Sequence, residues 1–122
     1  MRPIVGGSVV TTGIEYSTYG IENGLIYGNN TSYIRLSRSP VGNEDGESIT
    51  ISGHLQNINS TTIPFAFSAL NNIVKIDAQH EGSICTGGLI VGSRASVVNG
   101  IRFYFSSGNI ESGTVKLYGL RT

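Results

Sequence analysis

The densest run of side chains able to hold a metal is Asp77-Ala78-Gln79-His80-Glu81. Carboxylates and an imidazole are ligands of the zinc type. Their spacing works against joint ligation. In a strand, Asp77, Gln79 and Glu81 share one face and His80 points the other way, so these residues read as a solvated strand end with no metal. A second acidic group, Asn43-Glu44-Asp45-Gly46-Glu47, places three of the eight acids beside a glycine. Hard oxygen ligands in such a loop suit calcium, yet the alternating Asp/Asn ligands and flanking helices of an EF-hand are missing. The default is an exposed acidic loop tip, with calcium as the alternative.

Nucleophilic chemistry has little to build on. Cys85 is the single cysteine, so no intrachain disulfide forms. Its setting, Ser83-Ile84-Cys85-Thr86, suits a small buried hydrophobe. A catalytic thiol would need His54 or His80 beside it, and the sequence does not place either one there. Neither Gly-x-Ser-x-Gly nor a phosphate-cradling glycine loop occurs. No pair of carboxylates is marked out for glycosidase work. The expectation is a protein that is not an enzyme and has no catalytic residues, cofactor or metal. The residues best suited to contact are tyrosines, which join a broad apolar body to a polar tip. Tyr16, Tyr19, Tyr27 and Tyr33 cluster in the first third and Tyr118 lies near the C-terminus. These five are the candidate interface residues, and their rings could also stack on sugars.

The elements that must carry these residues are short strands. Successive strand side chains point to opposite faces, so alternation of apolar and polar residues marks a half-buried strand. Residues 9–12 and 14–21 open the series. Asn23-Gly24 is a hairpin signal, and Gly28-Asn29-Asn30-Thr31 reads as a further turn. Residues 33–38 alternate cleanly, with Ile34 and Leu36 opposite Tyr33, Arg35 and Ser37. In 49–55, Ile49, Ile51 and Leu55 share a face, and Gly53 suggests a bulge. Ile63, Phe65 and Phe67 share another face. Asn71-Asn72 reads as a turn, and residues 66–70 would tolerate at most one helical turn. Strands over 73–78, 84–91 and 97–105 follow. The last stretch, 101–120, predicts a hairpin: Ile101, Phe103 and Phe105 on one face of its first arm, Val115 and Leu117 on one face of its second. No window of a dozen residues shows helical periodicity.

Composition agrees with this pattern. The 17 Gly against 3 Pro and no Trp in 122 residues point to many tight turns. A chain of this length buries roughly two-thirds of its unfolded surface, enough for one core. Eight to ten short strands at spacings near 8–12 residues predict an all-β fold. We expect a single-domain antiparallel β-sandwich, jelly-roll-like, over residues 1–122, with 1–8 as an extended N-terminal arm. An immunoglobulin-like sandwich ranks second, without its Cys…Trp…Cys pattern. Charged residues are only 13% of the chain, and Lys plus Arg equals Asp plus Glu at 8 each. Phosphate binding needs a surplus of cations, so nucleic acid is not an expected partner. An anionic membrane surface is not expected either, and no apolar run reaches the ~18–20 residues of a membrane helix. A surface with net charge near zero favours association. Residues 1–7 do not form a signal peptide, and folding in a reducing cytoplasm is expected.

One family resemblance is visible. Phe103-Tyr104-Phe105-Ser106-Ser107-Gly108-Asn109-Ile110 and Ser112-Gly113-Thr114-Val115-Lys116-Leu117-Tyr118-Gly119-Leu120 resemble the C-terminal stretch of small jelly-roll virion proteins of tailed bacteriophages. These are fibre-tip domains and capsid decoration (cement) proteins. Residues 14–19 and 33–37 look like the opening strands of such domains, and nothing between 42 and 98 carries the likeness. The resemblance implies a non-enzymatic virion protein, assembled in the host bacterial cytoplasm, working as a homotrimer beside other virion proteins. Fibre tips usually end a longer stalked chain. A chain that begins at Met1 and enters its sandwich at once suits a decoration protein that clamps the major capsid protein of neighbouring capsomers. The alternative is a receptor-binding module of the tail that adheres to host glycans.

Overall fold

The computed structural model describes residues 1–21, 23–42, 44–75, 79–90 and 96–120. Eight strands and no helix make up the described chain: β1 (Arg2–Val5), β2 (Ser8–Val9), β3 (Ile14–Gly20), β4 (Gly24–Thr31), β5 (Ser48–Gln56), β6 (Ala66–Val74), β7 (His80–Leu89) and β8 (Val98–Arg102). They form two antiparallel sheets, β2-β1-β8 and β4-β3-β7-β6-β5. The sheets pack into a β-sandwich. The two ends of the chain meet, β1 beside β8, and β3 pairs with β7 at the centre of the larger sheet. The β5–β6–β7 meander and the β3–β4 hairpin complete the larger sheet.

The inner face of the larger sheet is apolar at one end and polar at the other. Ile14, Tyr16, Phe65, Phe67, Ala69, Cys85 and Leu89 form the core with Met1, Ile34 and Val98, and Val5, Ile101 and Phe103 pack against it. Farther along the same face come Thr18, Asn71, Ser83 and Glu81, all buried. These polar groups sit there because an irregular segment, 33–39, crosses the sheet at that end instead of a strand. Buried backbone carbonyls need donors. Thr18 Oγ1 donates to Arg35 O and Asn71 Nδ2 to Leu36 O, while Ser83 Oγ accepts from Arg38 N at 3.5 Å. Met1 ties the start of the segment: its amino group donates to Ile34 O at 2.9 Å and Ile34 N donates to Met1 O at 2.8 Å.

Several expectations are corrected here. Residues 1–8 are not a free arm. Arg2–Val5 pair with both β2 and β8, and Met1 is buried. The 33–38 segment alternates as expected, with Ile34 buried and Tyr33 and Arg35 exposed, but makes no ladder. Gly28–Thr31 continue β4 rather than turning. Asn71-Asn72 lie inside β6, where Asn71 serves the crossing segment. Gly53 marks no bulge, since the β5–β6 register runs unbroken through Gly53↔Ala69. It is glycine because a Cβ there would stand 2.6 Å from Ser68 O. Asn23-Gly24 does end the β3–β4 hairpin, and Gly24 adopts φ 71°, a region open to glycine at little cost.

The largest correction lies at the C-terminus. β8 stops at Arg102, and residues 103–120 form no strand. The predicted 101–120 hairpin is absent. Phe103 packs on the core, and the Tyr104 ring faces the Arg2 guanidinium at 4.9 Å. From Phe105 to Leu120 every residue is exposed.

Candidate assembly surface

Of the metal-capable run, Glu81 is engaged elsewhere. Glu81 points inward from β7, as alternation requires, and His80 points out. The Glu81 carboxylate is buried. Oε2 pairs with Lys75 Nζ at 2.7 Å, and Oε1 accepts from Asn23 Nδ2 at 2.8 Å and from Ser39 Oγ. Lys75 first, then Ser39, hold this carboxyl below the usual glutamate range, against the opposing pull of burial. The cluster ties the end of β6, the β3–β4 loop and the crossing segment to β7. Asp77 lies outside the described residues, and no three His, Cys, Asp or Glu among those described could share an ion. In the acidic loop, Glu47 folds back on its own turn: its Oε2 accepts from Glu44 N at 2.7 Å, and Glu47 N donates to Glu44 O at 3.0 Å. Asn43 lies outside the described residues. Cys85 is fully buried, and burial pushes its thiol up to about 11. A thiol in that state is neutral and inaccessible at neutral pH, which suits packing and not attack.

The five tyrosines separate into core and surface. Tyr16 is a core residue, stacked on the half-exposed Tyr33 with ring centroids 5.7 Å apart. Tyr19, Tyr27 and Tyr118 are exposed. Register then reveals a surface that residue-by-residue reading does not. Across the outer face of the large sheet, Leu25 pairs with Tyr19, Tyr19 with Ile84, Ile84 with Leu70 and Leu70 with Ser52. Four large side chains, each 51–61% exposed, stand in one cross-strand row. Ile21 lies beside it, against Gly82. Single exposed apolar residues are ordinary, whereas a contiguous row marks a contact surface. Sequence missed the row for a physical reason. Hydrophobicity alone turns Ile84 inward and Ser83 outward, and the structure has those two reversed, while Cys85 is buried as its setting implied.

Next to the row, the outer face dips. A hollow of about 570 Å³ is lined by Glu15, Ser17, Tyr27, Asn29, Thr86 and Gly88, among others. The small residues Gly88 and Ala66 face each other across its floor.

The second exposed apolar element is the C-terminal arm. Val115, Leu117, Tyr118 and Leu120 are 77–89% exposed. Thr114, Lys116 and Tyr118 face Ile51, Ser52 and Gly53 of β5 across a cleft of about 390 Å³. Those three are spaced by two, as alternate residues of an extended chain are. No backbone hydrogen bond joins 103–120 to the body among the described residues.

No family model, no curated protein and no solved structure matches this chain. The surfaces themselves are then the guide. No described helix is long and apolar enough to cross a membrane. Two exposed apolar elements on a body of zero net charge are equipped for contact between macromolecules.

Proposed function

We propose that this protein is a structural component of a tailed-phage virion, a capsid decoration protein that acts as a homotrimer and clamps neighbouring capsomers. The observation that carries the reading is the arm. It holds four large apolar side chains in water and buries them against nothing in its own body, so its stable state is one in which another surface covers it. The likeness of residues 103–120 to phage virion proteins supports the same reading, as does the charge-poor composition. The mechanism is adhesion by shape, with many copies adding through avidity. Particles lacking the protein should release DNA at a lower temperature than complete ones, and added purified protein should restore the difference. Unchanged release, or failure of the protein to bind particles, counts against the reading.

The hollow on the outer face favours one second reading, a receptor-binding tip. An exposed Tyr27 ring with Glu15, Ser17, Asn29 and Thr86 around it provides a stacking face and hydrogen-bonding groups, as sugar recognition requires. Under this reading, host glycans bind the purified protein and Tyr27→Ala abolishes that binding. Binding that survives the substitution would remove the hollow from consideration.

A further inference from the structure

The unpaired arm and the strand beside it define each other's missing partner. β5 is an edge strand of the large sheet, so the backbone groups on its open side lack a ladder. It is also the least covered strand of that sheet, with seven of its nine residues exposed. Residues 112–120 form a nine-residue segment whose own backbone groups are equally unpaired. A chain edge and an extended segment of matching length are the two halves of strand addition. Within one chain they lie side by side without joining. Phe103, packed on the core, anchors the root of the arm, and the cleft holds Thr114, Lys116 and Tyr118 away from Ile51–Gly53.

We propose that the cleft beside β5 is filled by the C-terminal arm of a second copy of this chain, which adds to β5 as a new edge strand. The inference rests on the assembly reading and names its contact. A second copy is the occupant because one chain carries both the donor segment and the acceptor edge. The formal charge of zero leaves no net repulsion between copies. Added as a strand, the arm lays Val115 and Leu117 on one face of the extended sheet and Tyr118 and Leu120 on the other, so side chains that are 77–89% exposed in the single chain gain neighbours on both faces. Each copy donates once and accepts once. Such head-to-tail contacts close as a ring where the rotation between copies closes and run on as a filament where it does not; within either, a protomer gains two interfaces.

The test uses the full chain, with Cys85 as a silent background because it is fully buried. Ser52→Cys and Tyr118→Cys are made in separate chains and also together in one, and Thr61→Cys, exposed in the loop after β5, replaces Ser52→Cys in the control. On mixing and mild oxidation, the Ser52/Tyr118 pair should give interchain disulfides at ten times the control yield or more. Sedimentation should show the unsubstituted protein as an oligomer at micromolar concentration, and V115D/L117D as a monomer with an unaltered circular dichroism spectrum. Four outcomes would overturn the proposal: a monomeric unsubstituted protein; an oligomer that survives V115D/L117D; crosslinking no better than the control; or closure of Ser52 onto Tyr118 only within one doubly substituted chain. An oligomer that survives arm substitution would end arm exchange and leave the virion reading intact. Absence from particles would do the reverse.

Discussion

Strand β6 and the C-terminal arm obey the same rule of alternation and meet opposite fates. In β6, Phe67, Ala69, Asn71 and Ile73 turn inward, and every residue finds a cross-strand partner in β5 and β7. In the arm, Val115 and Leu117 alternate with Thr114, Lys116 and Tyr118, and none is paired. An alternating segment is therefore a strand only when something supplies hydrogen bonds to its edges and cover to its apolar face. β6 has both within the chain. The arm has neither.

The contrast is broken or sharpened by substitution at graded depth. Phe65, just before β6, is among the largest fully buried side chains. Phe65→Ala should lower unfolding free energy by about 3–5 kcal/mol, read from urea titration. A loss under 1 kcal/mol would mean that the sandwich core is not where the geometry puts it. Glu81→Gln comes next. It removes the charge that Lys75, Ser39 and Asn23 converge on, at a cost of about 1–3 kcal/mol at pH 7. The pH dependence has a definite sign. Because the folded carboxyl is held low, its contribution is complete above the ordinary glutamate pKa of about 4.3. It fades as pH falls through the lower folded value. Melts from pH 7 to 3 should show a steeper decline for the parent than for Glu81→Gln; parallel declines would refute the ion-pair account. The smallest effect belongs to the arm. In dilute, monomeric protein Leu117→Ala should leave the unfolding free energy within about 0.5 kcal/mol of the parent, whereas the same cut at the buried Ile14 should not. A large loss at Leu117 would show that the arm already belongs to the monomer's core.

What the sequence made legible were features set by near neighbours. The all-β class followed from spacing, the β3–β4 hairpin from Asn23-Gly24, and the burial of Phe65 and Phe67 from alternation. What it concealed depends on partners far along the chain. Arg2–Val5 looked like a loose arm because a proline and a short apolar stretch do not announce that β8 lies alongside. Asn71 looked like a turn because its amide serves a carbonyl 35 residues away. Tyr33–Arg38 alternated as a strand would, yet their carbonyls are satisfied by side chains and, at Ile34, by the Met1 amino group. The closing stretch read as a hairpin since its pattern is strand-like, and pattern carries no information on whether the neighbouring edge is within reach. Of the five candidate tyrosines, Tyr19, Tyr27 and Tyr118 reach the surface and Tyr16 does not. The outer row of Leu25, Tyr19, Ile84 and Leu70 needed the register of four strands to appear.

The crossing segment has a practical consequence. A ladder transmits a one-residue slip to every side chain beyond it, but residues 33–39 are pinned at separate points, by Thr18, Asn71, Ser83 and Glu81. Slack introduced after Ser39 is thus absorbed before β5 begins, in the exposed stretch around Glu44–Gly46. Lengthening a surface loop costs little, about 0.6 kcal/mol for each doubling. That makes the stretch a natural port for inserting a foreign epitope, carried on the sandwich without disturbing its sheets.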